Sequence, residues 1–519
     1  MKVQLIILSI VLVASVQSCT DYLDVRPENQ MLLDDYWKKE SDVEAVLLSC
    51  YRAMQESEYM RRVILWGELR SDNVIADASA SDNLRQIHLV NIMPTNAECR
   101  WESVYKVINY CNVVLKYAPQ VRDSDPDFTE SDLRAKLAEA LAIRALSYFY
   151  LVRTFGAVPL SLEATISDDQ ELTLPQSSPD VVLNLLVSDL QQAEQWAMET
   201  YLTDRESKGR MTKDAIRSVL ADLLLWKKDY SNCVLYCDKL LNAKKLEPVR
   251  GGIIQQVGKY ELIEEEANNI IFGIGNSQES IFELQFSSNV IDNSSIGGLY
   301  GTSSAIGQLA ATAFYVETDV LYAATDIRKN DFIISTKTGT GAYQIFKYLG
   351  QRSSLGASNF YSFRMNSANW IFYRISDIML LKAEALVQLG DEASLRAALH
   401  LVNKTFMRAN PTRLKSDTLV FENYSSKEAM DKLVLAERHR ELMFEGKRWF
   451  DLVRYAERKN STAELVESVL TKYSSDQSAI MTKLAVMNAL YLPIHADELK
   501  VNPLLKQNPY YESSTNIVK

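Results

Sequence analysis

The stretch from Ala436 to Tyr455, AERHRELMFEGKRWFDLVRY, combines dense charge with an apolar stripe, and few folds accommodate both. Nine of the eighteen residues from Glu437 to Arg454 are charged. The apolar residues between them recur at spacings that place them along one side of a helical pair. Glu437, Glu441 and Glu445 fall at i, i+4 and i+8, so on an isolated helix they would repel one another. Cationic groups must therefore face this stripe.

The cations nearest to the stripe in the sequence are Arg438, Arg440, Lys447, Arg448 and Arg454. We therefore predict a partly desolvated network of ion pairs in which Gly446 lets the chain bend between two helices. A catalytic role for these carboxylates is the alternative, but we favour a structural network of buried pairs. The residues assigned to this network are Glu437, Arg438, Glu441, Glu445, Arg448, Asp451 and Arg454.

The composition is that of a large globular protein. The chain has 519 residues, of which 47% are hydrophobic and 24% charged, so it is long enough for an extensive core. Its formal net charge of −11 lacks the basic excess of a phosphate-binding surface, so nucleic acid is not an expected partner. After removal of an export signal, we predict one domain over residues 19–519.

The N-terminus has the pattern of an export signal. Lys2 begins a short positive region, the run from Val3 to Val16 is almost wholly apolar, and Ser18 precedes Cys19. We therefore predict a secretory signal peptide over residues 1–18, too short to be a spanning helix. The ending resembles a bacterial lipobox, which predicts acylation of Cys19 and a lipid anchor; the alternative is an ordinary signal with an unmodified Cys19. No other apolar run is long enough to cross a membrane, so an anchored, non-spanning protein is expected.

The other cysteines and the histidines do not form a ligand-like pattern. Five further cysteines are an odd number, so at least one is expected to stay unpaired. Two of them, Cys233 and Cys237, are four residues apart in an apolar helical pattern, which favours one buried face over a disulfide or a metal site. Zinc is improbable, and neither a metal nor another cofactor is predicted. The cysteines are Cys50, Cys99, Cys111, Cys233 and Cys237, and the histidines are His88, His400, His439 and His495.

Helical periodicity dominates most of the chain and predicts a mainly α fold. The segment 138–160 has the small and large apolar residues of a tetratricopeptide-type helix and ends at Gly156 and Pro159. We predict helix–turn–helix pairs stacked as a solenoid over about 40–242 and 369–460. The individual helices are predicted at 42–56, 101–117, 138–155, 179–198, 212–228, 230–242, 371–389 and 391–408.

Three segments depart from this periodicity. Residues 65–93 are rich in Ser, Asp and Asn and predict a long exposed loop of the kind that carries function on a rigid scaffold. Residues 243–368 contain short β-like runs, such as Ser280 to Phe286 and Tyr343 to Tyr348, separated by glycines that we interpret as turns. A tail rich in proline and asparagine follows over about 490–519.

Three blocks resemble signatures of the SusD/RagB family of outer-membrane glycan-binding lipoproteins. The block from Glu437 to Arg454 reproduces the family pattern ER-x-x-EL-x-x-EG-x-R-x-x-DL-x-R. Ala138 to Leu160 matches RA-x-x-YF-x-LVR-x-FG-x-VPL, and Leu492 to Tyr510 is similar to the family's closing segment, although His495 and Ala496 replace its commoner proline-containing form. With the lipobox, the resemblance covers essentially the whole mature chain. It implies a SusD-like helical scaffold and a surface-exposed, lipid-anchored position on the outer membrane.

The motifs of common catalytic sites are missing from the sequence, so we predict a binding protein and not an enzyme. Sugars stack on tyrosine and tryptophan rings while polar side chains bind their hydroxyl groups. Most aromatic residues lie in apolar helical registers and are expected in the core. Candidate ligand contacts are the aromatic and polar residues of the irregular segments: Asp72, Asn73, Arg85, Asn289, Asp292, Tyr300, Tyr315, Tyr343, Phe360 and Tyr361.

The sequence leads to four hypotheses about function. The resemblance favours a surface lipoprotein that captures oligosaccharides and delivers them to a SusC-like TonB-dependent transporter. The same architecture would also suit peptide capture, since relatives of the family are associated with peptide uptake. A periplasm-facing helical-repeat scaffold that binds only proteins is the third hypothesis. A hydrolase is the least favoured, because no acid, base and nucleophile are assembled in the sequence.

Overall fold

The computed structural model confirms the mainly helical chain predicted from the sequence. It describes residues 36–167, 170, 172–249, 253–302, 304–305, 307–334, 343–353, 360–364, 367–414 and 416–513. Cys19, predicted to be lipidated, lies outside the described residues, as do the signal peptide and the last residues of the tail.

The first half of the chain is built from long helices and a few short ones. Several begin at a side-chain cap: Thr129 Oγ1 accepts from the amide of Asp132, and Ser178 Oγ accepts from the amide of Val181. The helices are α1 (Glu40–Gln55), α2 (Ser57–Glu68), α3 (Asp82–His88), α4 (Glu102–Ser124), α5 (Glu130–Phe155), α6 (Pro179–Trp196), α7 (Asp204–Gly209), α8 (Lys213–Trp226) and α9 (Tyr230–Leu241).

Short helices occupy the irregular region, and long ones return after it. The helices of this half are α10 (Ser294–Tyr300), α11 (Ala313–Glu317), α12 (Arg328–Phe332), α13 (Ile375–Leu389), α14 (Glu392–Ala409), α15 (Lys427–Leu442), α16 (Arg448–Lys459), α17 (Ala463–Leu470), α18 (Gln477–Leu484) and α19 (Ala496–Val501). A π-helical segment covers Asn269–Ile274, and single 3₁₀ turns cover Ala97–Cys99, Phe421–Tyr424, Met487–Leu490 and Pro509–Tyr511.

The long helices pack in succession along the chain. Helix α1 packs on α4 and α5, α5 on α6, α6 on α8, and α8 on α9. The series continues across the irregular region, because α9 packs on α13, α13 on α14, and both on α15. The buried apolar side chains, from Trp37 to Tyr511, form one continuous core. The scaffold is therefore one stack of helices although its two halves are far apart in sequence.

The described strands pair in twos and are all antiparallel. Strand β1 (Val74–Ala76) pairs with β7 (Leu309–Ala311), so the 65–93 segment and the irregular region meet in one small sheet. The other pairs are β2 (Val158–Pro159) with β3 (Gln176–Ser177), β4 (Lys244–Val249) with β5 (Ile253–Gly258), β6 (Ser280–Leu284) with β10 (Trp370–Arg374), and β8 (Gly350–Ser353) with β9 (Phe360–Phe363).

Several predicted boundaries and one predicted loop are wrong. Residues 371–374, predicted to begin a helix, belong to β10, because the aromatic and β-branched run WIFYR pairs with β6. Residues 343–348, predicted as a strand, form only isolated bridges. The predicted exposed loop at 65–93 contains α3, β1 and the end of α2, and residues 65–74 are buried. Its polar residues bond inside the protein, an environment that a polar sequence does not reveal.

Helix α2 and the turn that follows α15 approach each other through two glycines. A Cβ atom on Gly67 would lie 1.9 Å from the carbonyl oxygen of Gly446. Gly446 has φ +71°, a conformation that favours glycine, and its amide donates to Glu68 Oε1 at 2.8 Å. The backbones of the helix and the turn therefore touch without an intervening side chain.

The Gly67→Ala substitution is expected to lower the free energy of unfolding by about 3 kcal/mol or more, because the helix and the turn must move apart to admit the methyl group. Gly298→Ala is the control, since its Cβ would meet no heavy atom within 4 Å. Denaturant unfolding of both variants is the measurement. Equal unfolding midpoints for the two variants would contradict the close approach.

Candidate functional site

All seven residues assigned to the ion network are buried, and the carboxylates of one half of the network lie among cations from distant segments. Glu445 accepts from Lys347 Nζ at 2.6 Å and from Arg374 Nη2 at 2.7 Å. Glu441 accepts from Arg374 Nη1 at 2.7 Å and Arg328 Nη1 at 3.1 Å, and it also pairs with Arg408. The predicted repulsion along the α15 stripe is therefore answered by cations that the sequence places up to about a hundred residues away.

The other half of the network contacts the helical scaffold and the 65–93 segment. Arg438 bonds to Asp377 at 2.9 Å and to both carboxylate oxygens of Asp451 at 2.9 Å. Arg454 forms two bonds to Glu384, at 2.9 and 2.6 Å. These guanidiniums are held in the fork geometry that carboxylates match.

The ion pairs keep the buried carboxylates charged. Burial by itself would raise the pKa of Glu441, but Arg408, Arg374 and Arg328 outweigh it and hold the pKa well below its usual value. The same balance holds the pKa of Glu437 and Glu445 below the usual value. These three carboxylates therefore lack the pKa near the working pH that a group poised for proton transfer has.

The base of the 65–93 segment is fixed to the network. Asp72 makes a two-pronged pair with Arg448, whose Nε and Nη2 donate to its two oxygens at 2.8 Å each. Lys472 Nζ donates to the carbonyls of Leu69 and Ser71, at 2.9 and 2.6 Å. Burial opposes the charge of Asp72, but Arg448 and His439 hold its pKa well below the usual value. The loops that extend from this base therefore begin on a rigid support.

Beyond this base, residues 77–98 meet α10 and residues 307–308 and form a surface that we call the loop face. The amide of Asp77 donates to the carbonyl of Gln308 at 2.9 Å, and Ser79 Oγ donates to the carbonyl of Gly307 at 3.0 Å. Arg61 Nη2, from α2, donates to Gln308 Oε1 at 3.3 Å. These bonds bring two segments that are more than 200 residues apart in sequence into one surface.

The loop face contains a groove of about 240 Å³, which we call the loop groove. It lies between α2, the turn at Ala97–Cys99 and α10. Arg61, 26% exposed, pairs with Glu98 at 2.9 Å, and Arg62 pairs with Glu58 at 2.8 Å. Guanidinium groups donate and carboxylates accept, so a hydroxyl-rich ligand finds both kinds of partner here. The lining residues are Ser57, Glu58, Arg61, Arg62, Ala97, Glu98, Ser294, Ser295 and Gly298.

Five of the predicted ligand contacts lie in the interior and do not face a ligand at the surface. Asp72 is occupied by Arg448, and Asn73 Nδ2 donates to Glu68 Oε2 at 2.8 Å. Tyr315 donates to Asp72 Oδ2 at 2.8 Å, and Tyr300 donates to the carbonyl of Phe444 at 3.0 Å. The fifth, Tyr343, is 6% exposed and donates to Glu317 Oε1 at 3.1 Å. Their polar atoms serve the network and its surroundings, so a surface ligand does not reach them.

The remaining predicted contacts lie closer to solvent. Arg85 is exposed on α3 and donates to the carbonyl of Ala78 at 2.7 Å. Asn289 and Asp292 are exposed near the bridge between Ser287 and Ile291. Tyr361 is half-buried against Phe346 in β9. Phe360 belongs to the same strand, but its side chain lies outside the described part of the structure. The structure brings Arg85 onto the loop face, and the ligand role of these residues stays a prediction.

Sequence reasoning missed the residues that line the loop groove. Arg61 and Glu98 belong to helical segments, where charged residues are common and carry no functional signal. Gly297 and Gly298 are among the glycines of the 243–368 region that the sequence predicts as turns. They lie instead in α10, where Gly298 leaves open space above the backbone.

Metal and thiol chemistry have no assembled site in the described structure. Within the described ranges, no group of three His, Cys, Asp or Glu side chains has the arrangement of a metal site. The five cysteines there are buried and free, including Cys233 and Cys237.

Replacement of Glu441 by glutamine is expected to lower the free energy of unfolding by about 3–5 kcal/mol, because three buried guanidiniums lose their shared counter-charge. Glu428→Gln is a matched control on the same helix. Glu428 pairs with Lys432 at 3.4 Å while both side chains are more than half exposed, so its loss changes stability by about 0–1 kcal/mol. Denaturant unfolding measures both, and comparable losses would contradict a buried network.

Glu68 predicts a pH dependence of stability. Burial raises the pKa of its carboxyl from 4.5 to about 8 in the folded protein. Between these values the unfolded state has released the proton that the folded state keeps, so stability falls as pH rises. The stability of the wild type relative to Glu68→Gln is expected to fall by about 1.4 kcal/mol per pH unit across this range. Unfolding curves at pH 5, 6 and 7 test this, and parallel profiles for the two proteins would contradict it.

Comparison with known families gives two matches that together span most of the chain. Residues 327–511 match the model described as "SusD family". Residues 21–225 match a second model, described as "Starch-binding associating with outer membrane". The two matches include most of the helical scaffold, the base of the 65–93 segment and the ion network.

Individual relatives extend the likeness over nearly the whole chain. SusD-like protein P38 of Formosa agariphila is 25% identical over 469 residues, which cover 84% of this chain and 88% of that protein. A crystal structure of a SusD superfamily protein from Bacteroides vulgatus has a TM-score of 0.73 and 20% identity, covering 92% of this chain and 100% of that one. A SusD homolog from Bacteroides thetaiotaomicron has a TM-score of 0.72 and 19% identity, covering 93% and 99%. The solved structures show that the fold is shared, and the matches to both family models, together with the relative from Formosa agariphila, show that the chain belongs to the SusD/RagB family.

Proposed function

We propose that this protein is a cell-surface lipoprotein that binds oligosaccharides and passes them to a SusC-like TonB-dependent transporter in the outer membrane. The observation that carries this proposal is the match of residues 21–225 to a family described as starch-binding and associated with the outer membrane. The matched region includes α2 and the turn at Ala97–Cys99, which form two sides of the loop groove.

The chemistry of the loop groove supports a sugar ligand. Arg61 is part-exposed and pairs with the buried Glu98, so a sugar hydroxyl would approach the guanidinium from the solvent side while Glu98 keeps its counter-charge. Ser294 and Ser295 add hydroxyl groups to the opposite wall. A groove of about 240 Å³ is below the usual size of a small-molecule pocket, so one or two sugar units of a longer chain would enter it.

The rigid support of the loop face suits capture and transfer without chemistry. Oligosaccharides bind to loops whose bases are fixed, because little ordering is needed when the ligand arrives. The long helices would provide the area needed to contact the transporter. We assign no bond-making or bond-breaking step to the protein.

A lipid anchor at Cys19 would hold the protein to the outer membrane. Within residues 36–513, where the structure describes helices, none is both long and apolar enough to cross a bilayer. An acyl anchor therefore supplies the proposed attachment, and stable attachment needs more than one acyl chain.

Peptide capture is the second candidate, and an apolar groove of about 670 Å³ favours it. This groove lies between α4, the 159–174 segment and α19. Its walls include the exposed side chains of Leu172 and Val501, and Glu102, Glu163 and Glu498 contribute carboxylates. Apolar walls with acidic groups complement peptides that carry leucine or phenylalanine beside lysine or arginine.

Calorimetric titration against plant, host and microbial polysaccharides, with mixed peptides in parallel, tests the proposal. Saturable heat with one glycan class is expected. Gly298→Trp is expected to weaken that binding at least tenfold. A Cβ at this position meets no other heavy atom within 4 Å, so the new ring occupies the loop groove without a clash at its base. Leu202→Trp is the control, since Leu202 is 94% exposed and lies outside the groove.

Three outcomes would contradict parts of this proposal. Binding of peptides but of no glycan would replace it with peptide capture. Unchanged glycan binding by Gly298→Trp would remove the loop groove as the site. Protection from added protease on intact cells would place the protein inside the outer membrane and favour a periplasmic scaffold.

A further inference from the structure

A further groove, of about 930 Å³, lies where the C-terminal tail crosses the ends of several scaffold helices. We call it the tail groove. Its walls come from the end of α5, the start of α6, the ends of α8 and α16, and residues 488–512. It shares no lining residue with the loop groove. The residues used below are Asp180, Trp226, Glu457, Asn488, Tyr491 and Lys506.

Two aromatic rings of the tail groove are held firmly but only half-buried. Trp226, the last residue of α8, makes an edge contact with Phe149 at 6.2 Å between ring centroids. Tyr491 donates its hydroxyl to Glu457 Oε1 at 3.2 Å. Gly156 lies beside Tyr491, where an added Cβ would be 3.9 Å from the ring, so no larger side chain covers it. Rings that are fixed on one side and open on the other are platforms for the apolar faces of sugars.

Polar groups surround these rings, and several have no protein partner. In the described part of the chain, the side chains of Asp180, Asn488 and Lys506 make no hydrogen bond or ion pair. A carboxylate, an amide and an ammonium group together offer acceptors and donors for sugar hydroxyls. Arg454 also lines the groove, but its charge is paired with Glu384, which leaves Lys227, Lys228 and Lys506 against Asp180, Glu457 and Glu512. An uncharged ligand is therefore favoured over an anionic one.

The tail that closes the groove is held in place by side-chain bonds to backbone. Gln507 donates to the carbonyl of Ile494 and accepts from its amide, both at 2.8 Å. Asn508 Nδ2 donates to the carbonyl of Asn488 at 2.9 Å, and Gln176 Oε1 accepts from the amide of Lys506 at 2.7 Å. The groove is thus formed before a ligand arrives, which lowers the entropic cost of binding.

We infer that the tail groove is a second carbohydrate site, which binds a neutral oligosaccharide across Trp226 and Tyr491. The ligand class rests on the function proposed above, whereas the site uses none of the residues of the loop groove. Two sites on one protein bind a long polysaccharide more tightly than either binds a short oligosaccharide, because the second contact becomes intramolecular. The protein would thereby retain polymers while short products move on.

Tryptophan fluorescence tests the tail groove directly. The chain has 7 tryptophans, of which only Trp196 and Trp226 are not buried. In a Trp196→Phe background, a ligand at the groove changes the emission of Trp226. The probes are maltoheptaose, cellohexaose, mannohexaose and xylohexaose at up to millimolar concentration. A saturable change with at least one of them is expected.

Two variants separate a ligand contact from a change in folding. Asn488→Ala removes an exposed amide without a protein partner and is expected to weaken the fluorescence-detected binding about tenfold. Trp226→Ala is expected to weaken binding of the matching polysaccharide at least tenfold while leaving the loop groove's short-oligosaccharide affinity unchanged. Trp196→Ala is its matched control, a half-buried tryptophan on α6 outside the groove.

The outcomes distinguish this inference from the proposed function. If a glycan binds by calorimetry and is lost in Gly298→Trp, but no probe changes Trp226 emission, the second site is overturned and the function stands. Emission changes that survive in both Asn488→Ala and Trp226→Phe with unaltered affinity would also overturn it. If no glycan binds by either method, both proposals fail.

Discussion

The contact between helix α2 and the turn after α15 joins the helical scaffold, the ion network and the 65–93 segment. Gly67 and Gly446 bring the two backbones together, and Glu68 accepts the amide of Gly446. From this point the ion network extends into the scaffold through Arg438 and Arg454. It extends into the loop-bearing segment through the pair of Arg448 with Asp72. The position of the loop face relative to the helices therefore depends on this contact.

Joining segments through a network of buried charges costs free energy of hydration. Each ion loses several kcal/mol of hydration, which only close and complete pairing recovers. In return, a misplaced segment leaves a buried charge without a partner, and that penalty excludes alternative packings. Lys347, Arg374 and Arg408 reach Glu441 at the end of α15 and Glu445 in the turn after it from three separate segments, so these carboxylates are satisfied only when all three are in place. We interpret the network as a device that specifies the arrangement more than one that maximises stability.

The packing of the helices explains where the two proposed ligand sites lie. Helix packing leaves shallow grooves where helix ends meet loops or the tail, and the loop groove and the tail groove both occupy such places. The loop groove is small and ionic, while the tail groove is larger and aromatic. Polar groups without a protein partner are inexpensive at these exposed positions, whereas they would be costly in the core.

Periodicity in the sequence was sufficient to predict the scaffold helices, since an apolar stripe at helical spacing is a local property. Their ends moved by several residues, and β10 replaced a predicted helix start, because pairing with β6 is a long-range interaction. Family-like motifs predicted the fold class, and the charged block predicted ion pairing.

The ligand-facing residues were not predictable in the same way. Asp72 and Tyr315 are residue types expected in a binding loop, yet they lie in the core, where Asp72 pairs with Arg448 and accepts from the hydroxyl of Tyr315. Arg61 and Glu98 look like ordinary helix surface, yet they line a groove because α10 packs beside them. The sequence by itself determined most of the long scaffold helices and that the charged block must be paired. Only the tertiary structure decided which polar side chains are satisfied internally and which remain open to a ligand, because that depends on partners hundreds of residues away.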